Sequence, residues 1–378
     1  MSVNQRHIGR VCATGVGIAL ALGVAGARVP GAWAQQAVAG TGAGASLSVA
    51  SPGAQLWVKR YNSHGNGGAE SVAVSPNGNT VFVTGETGSA SYGYGASYAT
   101  VAYNAITGAQ LWAKRYGTPA DGDSFAAEVA VSPNGKTVFV TGNSANSYQA
   151  GGGFDYATVA YNAATGAQLW AKRYADDTSQ VGIGAQAVAV SPNGSTLYVT
   201  GNSSAGNGEE YATIAYKSAT GAQLWLRYYP GVAYSGGAAA MAVSPNGKTV
   251  IVTGSVDAGN TAEYATVAYN AVTGVQLWAK RYGTPGSDEA YGVAVSPNGR
   301  TVFVTGTIAT ANNTGAKFEY TTIAYDAATG ARLWVKVYDG GDEASAVARR
   351  EHCKGHKENE NEATMKPHLL IIRSERPG

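Results

Sequence analysis

Disulfide chemistry has almost no material here: the two cysteines of this 378-residue sequence, Cys12 and Cys353, lie near opposite ends. The long body between them must be held by packing and closure alone. Charge is scarce too, at 13% of residues. Setting aside three basic residues before position 35, and seven basic and five acidic residues from Arg349 onward, leaves 16 basic against 19 acidic. A mildly acidic body lacks the electrostatic footprint of a nucleic-acid binder. His64 is the only histidine in that body. Neither a G-x-S-x-G elbow nor an H-E-x-x-H pair is present, so the usual sequence marks of nucleophilic and zinc catalysis are missing. No window of the repeat unit 128–174 carries helical periodicity.

Glycine (52 residues) and tyrosine (23) are abundant instead, beside many Val, Thr, Ser and Asn. That mixture favours strands and tight turns. The N-terminus has a different character. Arg6, His7 and Arg10 precede a small, apolar stretch from Val11 to Ala27, and Ala32-Trp33-Ala34 supplies a small-x-small cleavage pattern. Residues 1–34 therefore read as an export signal, too short and interrupted for a spanning helix. The mature chain is expected to have no membrane span and to reside in the periplasm, at the cell surface or outside the cell. Residues 35–53 read as a Gly/Ala/Ser-rich linker.

Internal repetition decides the architecture. Trp57, Trp112, Trp170, Trp225, Trp278 and Trp334 each end a G-A/V-Q/R-L-W segment. Ser-Pro-Asn-Gly recurs with its proline at Pro76, Pro133, Pro192, Pro245 and Pro297, and Y-A/T-T-V/I-A-Y recurs five times. One unit, 128–174, shows the order: strand 128–132, a type I turn at S-P-N-G, strand 136–141, a loop, strand 156–161, the turn N-A-A-T-G, and strand 167–174. Four antiparallel strands per repeat predict an all-β propeller over 54–348, with five complete blades. The tryptophans are expected to anchor each blade on the next. An orphan fourth strand at 54–61 and an orphan first strand at 343–348 would share a sixth blade. From Arg349 the pattern breaks, and 349–378 reads as an unrelated, disordered tail of the kind a frameshift produces. Its His352, Cys353 and His356 lack the second ligand pair of a closed zinc site.

The segment A-Y-N-A-A-T-G-A-Q-L-W at Ala160–Trp170 resembles the tryptophan-docking repeat of quinoprotein-like propellers. Asp288–Gly306 is similar to bacterial seven-bladed and surface-layer propeller repeats. Together these resemblances cover residues 54–348 and imply the propeller fold. The quinoprotein resemblance also implies an oxidoreductase using pyrroloquinoline quinone, with acids holding calcium, a catalytic Asp and, in many members, a vicinal cysteine pair. No Cys-Cys occurs here, and no unit carries a distinctive acid cluster.

In such a blade the S-P-N-G and N-A-A-T-G turns share one face, and the variable loops share the other. Recognition is expected on the variable face, where rigid tyrosines sit among adaptable Gly, Ser and Asn. Tyr92, Tyr94 and Tyr148 are the candidates there, with the acid pairs Asp121/Asp123 and Asp288/Glu289 of the inter-blade loops, which could also ligate calcium. Acids before the third-strand tyrosine (Asp155, Glu210, Glu263, Glu319) are expected to pair with fourth-strand arginines. No catalytic, cofactor-binding or metal residue is assigned. The expectation is an exported, monomeric, non-catalytic module binding a glycan, a peptide or an envelope protein. The rival readings are the quinoprotein-like oxidoreductase, a carbohydrate-active enzyme and a structural surface-layer component.

Overall fold

The computed structural model describes residues 55–61, 67–87, 96–117, 123–145, 153–175, 184–203, 210–230, 236–257, 261–312, 315–338, 344–348 and 370–373. Five antiparallel four-stranded sheets follow one another along the chain. The first holds β1 (Gly67–Val74), β2 (Thr80–Thr87), β3 (Ser97–Asn104) and β4 (Gln110–Tyr116). The second holds β5 (Ser124–Val131), β6 (Thr137–Ala145), β7 (Phe154–Asn162) and β8 (Gln168–Tyr174). The third holds β9 (Gly184–Val190), β10 (Thr196–Ser203), β11 (Glu210–Lys217) and β12 (Gln223–Pro230). The fourth holds β13 (Gly236–Val243), β14 (Thr249–Asp257), β15 (Ala262–Asn270) and β16 (Gln276–Tyr282). The fifth holds β17 (Glu289–Val295), β18 (Thr301–Asn312), β19 (Gly315–Asp326) and β20 (Arg332–Tyr338). First strands pack beside first strands from blade to blade, as blades arranged about an axis require. The ladders run beyond the expected cores: the strand expected at 156–161 spans Phe154–Asn162, and the fifth blade's second-to-third connection continues as a ladder out to Asn312 and Gly315.

The turns explain the recurring tetrapeptide. In the first blade the Ser75 hydroxyl donates to Asn77 Oδ1 at 2.7 Å and accepts from the Thr80 N–H at 2.9 Å. The Gly78 N–H closes the turn onto the Ser75 carbonyl, and Gly78 takes φ 74°, a conformation that costs other residues strain. Each V-T-G of the second strand faces an A-T-V/I or T-T-I of the third, which pairs threonine with threonine. Thr141 and Thr158, for example, lie 3.0 Å apart between hydroxyls in the core. Such cross-strand pairs fix register. The third strand is buried on both faces: β7 reads buried from Asp155 to Tyr161. That burial explains its continuous small and aromatic composition.

The tryptophans work between blades. Trp112 donates its indole N–H to the Ala163 carbonyl of the next blade at 2.9 Å, and its ring lies 6.1 Å from that of Tyr161. Trp170 meets Ser218, Trp225 meets Ala271 and Trp278 meets Ala327 in the same way, at 2.9, 3.2 and 3.0 Å. Gly166 shows why the acceptor turn ends in glycine: at φ 69°, a Cβ there would sit 2.8 Å from the Trp112 ring. The core clusters accordingly straddle blade boundaries, one of them joining Phe82, Tyr98 and Trp112 to Val129, Val138 and Val159.

The two end tryptophans depart from the expectation in opposite ways. Residues 55–61 form no ladder, contrary to the fourth strand expected at 54–61. Even so, Trp57 docks like the others, donating to the Ala105 carbonyl at 2.9 Å. Trp334 keeps only the ring of Phe303 in its own blade, 6.0 Å away, and is 38% exposed, where Trp170 is 8% exposed. Among the described residues no blade follows β20 to receive it. Beyond the fifth blade, β21 (Ala344–Ala348) pairs antiparallel with β22 (Leu370–Arg373) and packs beside β17 and β18. Apart from β22, the tail expected to be disordered lies outside the described residues. The signal and linker expectations for 1–53 lie outside them as well.

Candidate functional site

Tyr92, Tyr94, Tyr148 and Asp121 all lie outside the described residues, as do His352, Cys353 and His356 of the tail. Of the named loop candidates, the description covers Asp123, Asp288 and Glu289. Asp123 accepts the Ala96 N–H on Oδ1 at 2.9 Å, while its carbonyl accepts the Ala145 N–H at 2.8 Å. It therefore ties the loop between the first two blades to both.

Asp288 is fully buried. Its carboxylate accepts from the Thr284 N–H, from the Thr284 hydroxyl at 2.9 Å and from the Ala309 N–H at 3.0 Å. Burial raises its pKa, and the three donors pull it back down. The side chain clamps the 284–288 loop onto β18 and points away from solvent. Glu289, next to it, is exposed and accepts the Tyr291 hydroxyl at 2.6 Å. The pair is thus split, one acid inward and one outward. Among the described residues no group of three or more His, Cys, Asp or Glu side chains is close enough to hold a metal ion.

Arg173 realises the expected arginine–acid pair, with Nε 3.0 Å from Asp155 Oδ2. It also donates to the Ser144 and Ala145 carbonyls, at 3.0 and 2.6 Å. Arg227 instead donates to the Gly274 and Thr273 carbonyls at 3.1 and 2.9 Å, over the turn that receives Trp225. Arg281 reaches the Tyr229 hydroxyl and the Pro230 carbonyl. Arg173 thus braces the strands of its own blade, whereas Arg227 and Arg281 brace neighbouring blades.

Glu128 was not singled out by motif reading. It sits on β5, the innermost strand of the second blade, and accepts the Val188 N–H of the adjacent innermost strand, β9. Some of the residue's surface is reachable, yet its carboxyl lies deep among protein atoms. Burial pushes its pKa up to about 7, against the opposing pull of the Val188 N–H. The ladder registers place Ser71, Ala187, Ala240 and Gly292 at the same point of the other blades. A position-by-position comparison of the repeats would therefore have picked it out as the one acid in a column of small residues.

One concavity lies on the turn face. A depression of about 410 Å³ is lined by Pro133, Pro192 and Pro245 of the S-P-N-G turns and by the strand ends Val190, Val243 and Val295. Its lining side chains are apolar and none is ionisable, while backbone polar groups share its surface. The described geometry thus offers loop clamps and a shallow depression between first strands.

The chain shows no match among curated proteins. Solved structures that it resembles include hydrazine synthase of Kuenenia stuttgartiensis, at 16% identity and TM-score 0.47, covering 74% of this chain and 66% of that one. BamB from Moraxella catarrhalis gives 16% identity and TM-score 0.34, over 70% and 69%. The quinohemoprotein alcohol dehydrogenase of Comamonas testosteroni gives 15% and 0.48, over 78% and 56%. The family assignment rests on a sequence-family match instead, one that runs through all five blades. Across residues 26–353 the chain matches the model described as outer membrane protein assembly factor BamB, and it belongs to that family of β-propeller repeat proteins.

Proposed function

We propose that the protein is a non-catalytic module of the bacterial envelope, holding a polypeptide partner against one end of the propeller during outer-membrane protein assembly. The family match over residues 26–353 carries this reading. The site chemistry supports it: Asp123, Asp288, Asp155 and Arg173 are engaged in bonds that fix loops and blades. A scaffold stiffened in this way presents the inter-blade and second-to-third loops at constant spacing, which lowers the ordering cost of binding. Tyr92, Tyr94 and Tyr148 are the proposed contact residues, each able to offer apolar area and a hydroxyl.

The test is titration of the mature chain with an unfolded outer-membrane β-barrel protein. Saturable binding that Tyr92→Ser/Tyr94→Ser/Tyr148→Ser weakens about tenfold, a difference of about 1.4 kcal/mol, is expected. Absence of binding, or saturable uptake of pyrroloquinoline quinone in the presence of calcium, would overturn the reading.

A further inference from the structure

Charge in the blades is sorted by strand end, a pattern hidden by the near balance of 16 basic against 19 acidic residues in the body. The two kinds of turn share one face and are bonded to each other there. Ala163 donates its N–H to the Lys136 carbonyl and Ala271 to the Lys248 carbonyl, both at 2.9 Å. On that face Lys136, Lys217, Lys248 and Arg300 are all exposed. Among the described turn residues Asp326 is the one acid, and it is bonded back into its own turn by the Thr329 N–H and hydroxyl at 2.9 and 2.8 Å. The far ends of the strands are acidic. Glu86, Asp155, Glu210, Glu263 and Glu319 stand beside the second-to-third connections.

A second set of cations is laid over the turns from the side. Each docking tryptophan is followed two residues later by Lys or Arg. A Cβ on Gly166 would sit 2.9 Å from Lys114 Cε, and one on Gly330 2.9 Å from Lys280 Cε. Arg227 does the same by hydrogen bonds, to the Gly274 and Thr273 carbonyls. Aliphatic side chains stand among these charges and face solvent. Ile106 and Val272 occupy two turn tips, where the other three described blades have alanine, and they are 74% and 79% exposed. One half-exposed leucine per blade follows the turn: Leu111, Leu169, Leu224, Leu277 and Leu333.

We propose that the turn face lies against an anionic phospholipid surface. Cations attract a negatively charged plane, and aliphatic tips between them gain by entering the boundary between headgroups and acyl chains. A soluble polyanion would use the cations and gain nothing from Ile106 and Val272. The acids at the far end of the strands are repelled by the same surface, so the charge separation also sets the orientation of approach. The proposal stands apart from the polypeptide-binding reading, because it uses the other face and leaves the variable loops pointing away from the lipid.

The test places a solvent-sensitive dye on either face of the full chain. In a Cys12→Ser/Cys353→Ser background, Val272→Cys carries the dye at a turn tip, and Phe318→Cys carries it at the exposed loop end of the fifth blade. The probes are phosphatidylcholine vesicles with and without one-third phosphatidylglycerol. Emission from Val272→Cys is expected to rise several-fold and shift to the blue with the anionic vesicles alone, while Phe318→Cys stays unchanged. Lys136→Glu/Lys248→Glu/Arg300→Glu should weaken the partitioning about tenfold at an unchanged circular dichroism spectrum. A silent dye at Val272→Cys, an equal response at Phe318→Cys or an equal response to neutral vesicles would overturn the proposal. So would partitioning that survives the charge reversal, as adsorption through the apolar stretch Val11–Ala27 would. Saturable binding of inorganic polyphosphate with no vesicle response would make a soluble polyanion the occupant, and would overturn it too.

Discussion

Trp57 donates its indole N–H to the carbonyl of Ala105, 48 residues away, at 2.9 Å, although the segment that carries it joins no ladder. Docking of the indole is therefore separable from strand pairing. One side chain and one turn make the joint between neighbouring units, and the same joint recurs at four further boundaries.

The joint's two halves are expected to fail together. Trp112→Ala removes a buried indole and should cost about 3–5 kcal/mol. Gly166→Ala introduces a Cβ 2.8 Å from the Trp112 ring at φ 69°, so it should cost clearly more than Gly78→Ala, where φ is 74° but nothing lies within 4 Å. The latter pays only the left-handed backbone penalty, about 1 kcal/mol. Urea unfolding of the three variants measures the order.

A second ladder of bonds crosses the blades near the third strands. Tyr98, Tyr156 and Tyr211 donate to the carbonyls of Ala157, Ala212 and Ala265 at 3.1, 3.5 and 3.4 Å. At the fourth boundary the Tyr264 hydroxyl has no protein hydrogen-bond partner, and neither does the Thr321 hydroxyl in the next blade. Tyr98→Phe should lose about 1 kcal/mol, while Tyr264→Phe should be neutral or stabilising. Thermal unfolding of the two variants, measured side by side, checks the contrast.

Glu128 gives stability a pH slope of defined sign. Its carboxyl titrates near 7 when folded, against an ordinary value of 4.5. Between those values the folded chain holds a proton that the unfolded chain has released. Its contribution is therefore fully present below about pH 4.5, falls as pH rises and is gone above about pH 7, a change of up to about 3 kcal/mol. Glu128→Gln keeps an oxygen for the Val188 N–H and should flatten the slope. Urea midpoints at pH 5 and pH 8 test this.

Asp288→Ala removes an acceptor for three hydrogen bonds. It should cost about 2–3 kcal/mol, because buried donors are left unpaired. Amide exchange is expected to quicken at Thr284 and Ala309 while the second blade is unaffected. Calcium should leave the melting temperature of the wild type unchanged.

Repetition made the scaffold legible. Trp112 and Trp170 declare themselves because every unit repeats the same G-x-x-L-W and the same receiving turn. Their counterpart Trp334 carries the same motif and behaves differently, because the motif records the donor and says nothing of whether a receiver follows. Asp288 read as a surface acid beside Glu289. The groups that turn it inward include the Ala309 N–H, 21 residues away, and only the folded sheet brings them together. Glu128 hid for the converse reason: it matches no motif, and it differs from the residues in its own column.

Because the four described blade boundaries share the same indole and turn, much of the surface a unit presents forward matches what another unit presents backward. Removing or duplicating one whole unit would leave compatible faces on either side of the cut. Such a change alters the circumference of the assembly and the bore at its centre, and leaves the rules for joining its parts as they were.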